Sequence, residues 1–242
     1  MEKEILKVLS NRPIAKDVYE MVLEGSTKSI TAPGQFINLA IEGLYLRRPI
    51  SVCDYDENTI TIIYKVVGKG TKIMSNAQAG AEFDVLVGLG NGFDVTLGGS
   101  KPAVIGGGVG VPPLYHLAKR LIAQGSSVTA VLGFNRKEEI FYAEEFAQIG
   151  CKVFVTTADG SVGTKGFVTD AMDFDYTYVY TCGPEAMLKA VYDKSRTSGQ
   201  FSFERRMGCG FGACMGCTCK TKYGNKRICR EGPVLVKEEI IW

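Results

Sequence analysis

The sequence predicts a multidomain α+β protein with three parts. Residues 1–97 are predicted to form an antiparallel β-barrel, or a sandwich of the same strands, because β-branched and aromatic stretches alternate there with turn residues. Residues 98–198 are predicted to form a doubly wound α/β domain, because strand patterns alternate with amphipathic helix patterns. Residues 199–242 are predicted to form a small C-terminal domain, because five of the eight cysteines lie between Cys209 and Cys229.

The first part contains six predicted strands and one predicted helix. The strands cover residues 4–14, 17–25, 35–41, 47–55, 59–67 and 81–89. Residues 69–80 (KGTKIMSNAQAG) are predicted as a short helix that ends at Gly80, since glycine commonly follows the last helical turn. The stretch LGGSK at 97–101 marks the boundary with the second part.

The second part alternates strands with helices, which predicts a parallel sheet. A buried strand at 102–106 leads into a glycine-rich turn and a helix at 114–125 that Gly125 closes. The later elements are predicted as strands at 128–134, 151–157 and 176–183 and helices at 138–150 and 184–199.

Composition excludes several classes of protein. The formal net charge is +2, so nothing in the overall charge indicates a nucleic-acid partner. No apolar run approaches the roughly 18 residues that a membrane span needs, and residues 1–13 lack the apolar core of a signal peptide. We therefore expect a cytoplasmic protein without a membrane or nucleic-acid partner. Residues 199–242 are the basic part of the chain, with eight basic against four acidic side chains.

The single histidine, His116, restricts the chemistry that the chain can perform. It leaves no simple way to build a histidine metal site or a Ser-His-Asp triad. We expect His116 to be a packed or hydrogen-bonded residue of its helix, and we expect a bound cofactor to supply the chemistry.

The cysteine spacing is the most specific motif. Cys209, Cys214, Cys217 and the more distant Cys229 follow the C-x4-C-x2-C…C pattern of plant-type [2Fe–2S] ligation. Interspersed glycines allow the turns that direct backbone N–H groups at the sulfur atoms. A zinc site is the alternative, although paired C-x2-C units are its usual pattern. Cys219 lies outside the spacing and is predicted to be a packed thiol, with a reserve ligand as the other possibility.

The glycine-rich turn GGGVGVPP at 106–113 predicts a nucleotide site. A turn between a strand and a helix brings backbone N–H groups and the helix N-terminus to a pyrophosphate. Pro112 and Pro113 depart from the usual G-x-G-x-x-G pattern. Strands that end in small residues, including Cys182-Gly183-Pro184, support the prediction, since ligands bind at the carboxyl ends of such strands. Arg136, after the next strand, could accept the 2′-phosphate of NADP.

A third motif, Arg47-Arg48-Pro49-Ile50-Ser51, lies in the first part. Arg48 can neutralise a phosphate and Ser51 can hydrogen-bond a ring edge, while a solvated arginine pair is an equally simple interpretation. Residues 68–71 (GKGT), before the predicted short helix, offer a second place for a phosphate.

The order of these motifs resembles the ferredoxin–NADP reductase superfamily and, more closely, the electron-transfer subunits of dihydroorotate dehydrogenase B. The resemblance covers essentially the whole chain. It is carried by LRRPIS at 46–51, IIYKVVGKGT at 62–71, TADGSVGTKGFVTD at 157–170, ERRMGCGFGACMGC at 204–217 and ICREGP at 228–233.

The resemblance implies three cofactors and a set of residues for each. The residues implied for FAD are Arg48, Pro49, Ile50, Ser51, Ile63, Tyr64, Lys65, Gly70 and Thr71. Those implied for NAD are Gly107, Gly108, Gly110, Cys182, Gly183 and Pro184. Those implied as [2Fe–2S] ligands are Cys209, Cys214, Cys217 and Cys229.

The resemblance also implies a partner and a direction of electron flow. The partner is a dihydroorotate dehydrogenase catalytic subunit with FMN, two copies of each chain forming a heterotetramer. Electrons from dihydroorotate, used in pyrimidine biosynthesis, would pass through the cluster and FAD to NAD⁺. Two different functions stay open: a subunit of an NADH-dependent ferredoxin:NADP⁺ oxidoreductase or of sulfide dehydrogenase, and a more distant iron–sulfur redox sensor. Two glycine-rich phosphate sites disfavour the sensor, which needs no pair of nucleotide cofactors.

Overall fold

A computed structural model, which describes all 242 residues, confirms the predicted fold class. The N-terminal strands are β1 (Glu2–Ala15), β2 (Val18–Glu24), β3 (Phe36–Leu39), β4 (Arg48–Tyr55), β5 (Thr59–Lys65) and β6 (Glu82–Leu89). They form a closed antiparallel barrel with the strand order β1-β2-β5-β4-β3-β6. Aliphatic side chains such as Leu6, Met21 and Ile60 fill the barrel and are fully buried.

One helix of the barrel is shorter than predicted. Helix α1 covers Lys69–Ser75 and its C-cap is Asn76, so it ends before Gly80. Gly80 has a φ of +91° in the turn that leads into β6. Glycine therefore serves this tight turn rather than the end of the helix.

The second part is a largely parallel sheet of seven strands. The strands are β7 (Ala103–Gly107), β8 (Thr129–Phe134), β9 (Lys152–Thr157), β10 (Thr164–Lys165), β11 (Val179–Cys182), β12 (Gly199–Ser202) and β15 (Val234–Val236), in the order β10-β9-β8-β7-β11-β12-β15. The helices are α2 (Pro113–Ala123), α3 (Ala143–Gln148) and α4 (Glu185–Lys194). Single 3-10 turns cover Val95–Leu97, Gly108–Gly110, Lys137–Glu139, Val168–Ala171 and Lys237–Glu239. None of the helices is both long and apolar enough to cross a lipid bilayer.

Strand β7 is the centre of this sheet. The chain runs from β7 outward to β8 and β9 on one side, and later to β11 and β12 on the other. The direction of winding therefore reverses between β7 and β11. In doubly wound sheets, ligands bind at the carboxyl ends of the strands on either side of such a reversal.

The predicted helix at 138–150 is reduced to Ala143–Gln148. A 3-10 turn precedes it, and Tyr142 has a left-handed backbone with a φ of +63°. The Phe141 side chain packs edge-on against Phe134 at a ring separation of 5.4 Å, inside the core. Burial of these aromatic residues overrides the local helix pattern.

The last part of the chain differs from the prediction at its boundary with the sheet. Residues Gly199–Ser202 form β12, which pairs in parallel with β11, and β15 returns antiparallel to β12. All four residues of β12 are buried, as in strands covered on both faces. The cysteine-rich region is thus a loop between two adjacent strands, with its own hairpin of β13 (Thr218–Thr221) and β14 (Gly224–Arg227).

The barrel and the α/β domain meet through a polar cluster. Asp54 of β4 accepts hydrogen bonds from His116 Nδ1 at 2.7 Å and from Lys119 Nζ at 2.7 Å, both on α2. The Tyr55 ring stacks on His116 at 4.3 Å. His116 is therefore a hydrogen-bonded helix residue, as predicted. Burial acts to raise the pKa of Asp54, but the hydrogen bonds from His116 and Lys119 outweigh it and lower that pKa.

We expect Asp54→Asn to lower the free energy of unfolding by about 1–2 kcal/mol at pH 7, because two charge-assisted hydrogen bonds are weakened. The carboxylate stabilises the fold because its pKa is lower in the folded than in the unfolded chain. This contribution is complete above the ordinary value of 3.8 and is lost as the pH falls below it. Thermal unfolding of both proteins from pH 7 downward tests this. If the stabilities of the two proteins became equal already above about pH 5, that result would contradict the prediction.

Candidate functional site

The four cysteines of the spacing motif meet in two hydrogen-bonded pairs. Cys214 N–H donates to Cys209 Sγ at 3.4 Å, and Cys209 N–H donates to Cys214 Sγ at 3.5 Å. In the second pair, Cys229 N–H donates to Cys217 Sγ at 3.4 Å. Two irons with two thiolates each need this arrangement.

Backbone geometry around the loop favours thiolate ligands. Burial acts to raise the pKa of Cys209, but N–H groups of Cys214 and Phe211 lower it to about 6. Burial and the neighbouring Cys217 raise the pKa of Cys229 to about 12. The proximity of the cysteines disfavours several negatively charged thiolates together, and bound iron would compensate this negative charge. The donor set and the N–H···S bonds therefore fit a [2Fe–2S] cluster.

Cys219 lies apart from the two pairs. It is a half-buried residue of β13, opposite Lys226, and takes no part in the N–H···S hydrogen bonds to Cys209, Cys214 and Cys217. Its assignment as a packed thiol stays a prediction.

The two motifs predicted for FAD come together at one end of the barrel. A Cβ placed at Gly70, on α1, would overlap the guanidinium of Arg48, so Arg48 lies directly against the GKGT segment. Arg48 donates hydrogen bonds only from Nη1, to the backbone oxygens of Leu46 and Arg47. Its Nε and Nη2 donors are therefore available to a phosphate.

Arg47 has a different role from Arg48. Its guanidinium donates to Asp84 at 2.8 Å, both at the backbone oxygen and at Oδ1. Of the arginine pair, Arg47 thus fixes the barrel and Arg48 remains for a ligand.

Around Gly70 and along β5, some side chains stabilise the fold and others belong to the candidate site. Thr71 Oγ1 accepts from the N–H groups of Val67 and Gly68 at 3.0 and 3.2 Å, which caps α1. Ile63 and Lys65 lie on the outer face of β5, where Lys65 Nζ is 3.9 Å from Glu139.

Tyr64 lies inside the barrel rather than at the candidate flavin site. Its side chain is 1% exposed and its hydroxyl donates to Asn11 at 2.9 Å. Because side chains alternate along a strand, Tyr64 points opposite to its neighbours Ile63 and Lys65. The expected contact of Tyr64 with FAD is therefore possible only through its backbone.

The buried side chain of Asn38 forms a hydrogen bond between the strand beside the candidate flavin strand and the cysteine loop. Asn38 of β3 is opposite Pro49 of β4, and its Nδ2 donates to the backbone oxygen of Cys209 at 3.4 Å. The predicted flavin and cluster residues are therefore neighbours. No sequence pattern indicates this contact, because the two residues are 171 positions apart.

The residues predicted for NAD meet where the sheet reverses its winding. A Cβ at Gly110 would overlap the backbone of Cys182 and Gly183, so the turn after β7 touches the turn after β11. Gly108 has a φ of +51°, which glycine adopts without strain. Pro113 occupies the first turn of α2, where the missing N–H has no cost. This crevice fits a dinucleotide.

We expect Gly110→Ala to weaken NADH binding more than about tenfold and to destabilise the fold by about 1–3 kcal/mol, because the methyl group would separate the two turns. Nucleotide titration and thermal unfolding measure the two effects. Gly125→Ala is the matched control, since Gly125 has a φ of +88° but open space around it. Equal losses of NADH affinity in both variants would contradict the prediction.

Comparison with known proteins identifies the class of protein to which this chain belongs. Residues 104–193 match the family described as oxidoreductase NAD-binding domain, and residues 204–241 match the iron-sulfur cluster binding domain of dihydroorotate dehydrogenase B. The fold and these matches define an oxidoreductase of the ferredoxin–NADP reductase type with an iron–sulfur domain.

Full-length relatives define the family within this class. A protein of Bacillus cereus (strain G9842), the electron transfer subunit of dihydroorotate dehydrogenase B (NAD(+)), is 42% identical over 100% of this chain and 99% of its own length. The protein of the same name from Bacillus mycoides (strain KBAB4) has the same identity and coverage. The chain belongs to the family of dihydroorotate dehydrogenase B electron-transfer subunits, which confirms the resemblance seen in its motifs.

Solved structures agree with this fold. The structure of an NADH-dependent reduced ferredoxin–NADP oxidoreductase, described for flavin-based electron bifurcation, is 32% identical with a TM-score of 0.87 and covers 98% of this chain and 90% of that chain. Phthalate dioxygenase reductase has a TM-score of 0.67 at 18% identity, covering 91% of this chain and 87% of that chain, which shows the shared fold alone.

Proposed function

We propose that this chain carries electrons from the FMN of a dihydroorotate dehydrogenase catalytic subunit, through a [2Fe–2S] cluster and FAD, to NAD⁺. The observation that carries the proposal is the adjacency of the cysteine loop and the candidate flavin strand through Asn38. The names of full-length relatives at 42% identity support the substrate.

Each cofactor has a set of residues that would hold it. When bound, FAD exchanges a hydride with a nicotinamide and single electrons with an iron–sulfur centre. Arg48 would neutralise its phosphate beside Gly70, while Ser51 would hydrogen-bond the ring. The crevice between Gly110 and Cys182 would orient the nicotinamide nucleotide. The paired cysteines would ligate the cluster.

The chain needs a partner for the oxidation of dihydroorotate. Its only histidine is hydrogen-bonded to Asp54 between the domains and is not available as a base in the nucleotide crevice. This supports a separate FMN subunit, and we propose a heterotetramer with two copies of each chain. The thiolate ligands require a reducing compartment, which supports the cytoplasm.

Reconstitution with the catalytic subunit tests the function. The two chains are co-expressed and purified, and dihydroorotate-dependent NADH formation is recorded anaerobically. We expect activity only in the complex, together with FAD, acid-labile sulfide and two irons per chain. Stoichiometric zinc without sulfide, or a complex that does not form, would contradict the proposal.

A second candidate is a subunit that exchanges electrons between NADH and ferredoxin. The relation to the NADH-dependent reduced ferredoxin–NADP oxidoreductase, at 32% identity over 98% of this chain, favours it over an iron–sulfur redox sensor. Ferredoxin reduction by NADH without the dihydroorotate-oxidising partner would distinguish it.

We expect NADH to be preferred over NADPH. Arg136 could accept a 2′-phosphate, but Glu139 lies 3.7 Å from its Nε and accepts from Asn135 at 2.8 Å. This carboxylate would repel a 2′-phosphate, whereas it can accept a hydrogen bond from a ribose hydroxyl. The ratio of kcat/KM values for the two nucleotides measures the preference. A preference for NADPH by about tenfold would overturn the prediction.

A further inference from the structure

We propose that Asn38 is a positioning residue that holds the Cys209 end of the cysteine loop against the candidate flavin strand and so sets the rate of electron transfer between them. This inference rests on the proposed function, because it assumes that both FAD and the cluster are bound. It concerns a residue of the barrel that belongs to none of the cofactor motifs.

The first observation is the place of Asn38 between two sites. The residue is 1% exposed and lies in β3, opposite Pro49 of the RRPIS strand. Its amide nitrogen donates to the Cys209 backbone oxygen. Cys209 Sγ in turn accepts the N–H of Cys214, so a shift of this backbone would alter two predicted ligands together.

The second observation is the close approach of the loop. Gly210, the residue after Cys209, has a φ of +78°, and a Cβ placed there would overlap Asn38 Nδ2. Any larger residue at 210 would push the loop away from β3. The glycine and the asparagine are therefore fitted to each other across the boundary between the barrel and the loop.

The third observation is the unused atom of the same amide. Asn38 Oδ1 is buried and has no hydrogen-bond donor. Buried polar atoms without a partner are rare in native proteins, and each needs an explanation such as a donor on a bound group. An acceptor between the flavin strand and the cysteine loop is placed to receive an N–H or O–H from a cofactor held there.

A hydrogen bond from Arg47 holds the backbone of Asn38 in place. Arg47 Nη1 donates to the Asn38 carbonyl at 3.3 Å, and the same guanidinium is paired with Asp84. The strand position of Asn38 is thus stabilised independently of its side chain. Substitution of the side chain should release the Cys209 end of the loop while leaving the barrel strand in place, since Asn91 still holds the other end through Glu231 and Gly232.

The test follows electrons from NADH into the cluster, without the catalytic partner. NADH supplies two electrons as hydride to the flavin, and the oxidised cluster takes one of them. Stopped-flow spectra separate flavin bleaching from cluster reduction in wild type, Asn38→Leu and Asn38→Asp. Asn38→Leu removes the whole amide, whereas Asn38→Asp keeps the shape and puts a carboxylate against the Cys209 carbonyl.

We expect both variants to slow cluster reduction severalfold, because the Cys209 end of the loop would move away from the flavin strand and electron-transfer rates fall steeply with distance. Flavin bleaching should remain within about twofold in Asn38→Asp, because the carboxylate keeps an acceptor oxygen at this position. The EPR signal and midpoint potential of the cluster should also change. Thr27→Val, which removes the partly buried hydrogen bonds from Thr27 Oγ1 to the backbone oxygens of Asp56 at 2.7 Å and Glu57 at 3.1 Å, is the control for general loss of stability.

Cluster reduction and EPR spectra identical to wild type in both variants would overturn the assignment. Loss of iron and sulfide from both, with FAD retained and Thr27→Val intact, would support it, because the loop would have lost its anchor. A wild-type protein whose cluster NADH cannot reduce would overturn the proposed function and this inference with it. That result differs from failure of the inference alone, in which the wild type is reduced normally.

Discussion

Cys214→Ser is expected to remove or destabilise the iron–sulfur centre and so to lower dihydroorotate-dependent NADH formation. Cys214 Sγ is paired with the backbone N–H groups of Cys209 and Gly216, at 3.5 Å in each case. Altered partners of metal ligands already cost about 10–100-fold, so loss of a ligand should cost more than about 100-fold in activity. Iron and sulfide analysis, EPR and the coupled assay measure the effect.

Cys219→Ser is the matched control for this experiment, because it removes a cysteine of the same loop region. It should keep the cluster and most of the activity. Cys219 is two residues after Cys217, near the start of β13, so it could replace a lost ligand and leave Cys214→Ser with a weakened rather than an absent cluster. A cluster lost in Cys219→Ser but retained in Cys229→Ser would show that the fourth ligand is wrongly assigned.

Arg48→Ala is expected to weaken FAD binding by about 10–100-fold, which corresponds to one charge-assisted phosphate contact of about 1.5–3 kcal/mol. The fold of the barrel should be retained, because Arg48 donates only to two local backbone oxygens. Flavin content after purification and titration of the apoprotein with FAD measure the change.

Arg47→Ala provides the contrast. Its loss removes the ion pair with Asp84 at 2.8 Å, so it should lower the thermal stability of the barrel more than its intrinsic affinity for FAD. The opposite result, with FAD lost in Arg47→Ala and retained in Arg48→Ala, would reverse the roles assigned to the two arginines.

Much of this architecture could be predicted because its signals are local. The barrel strands and the central strands of the sheet have hydrophobic patterns that need no knowledge of distant residues. The cysteine motif is equally local, since Cys209, Cys214 and Cys217 follow one another within a short stretch of chain. The motif resemblance added the cofactors.

What the sequence did not reveal depends on contacts between distant residues. The Asn38–Cys209 and Asp54–His116 hydrogen bonds join residues 171 and 62 positions apart. The resemblance indicated that Tyr64 belongs to a flavin segment but not which way its side chain points, which depends on strand register. The pairing of β12 with β15 is likewise a property of the assembled sheet.

The return of β15 to the edge of the nucleotide sheet has a mechanical consequence. Residues 203–233, which include all four predicted iron ligands, are clamped at both ends by β12 and β15 of one rigid sheet. A rotation of the α/β domain away from the barrel would therefore carry this loop with it and load both of its polar links to the barrel, at Asn38 and at Asn91, whose amide donates to the Glu231 backbone oxygen at 3.1 Å.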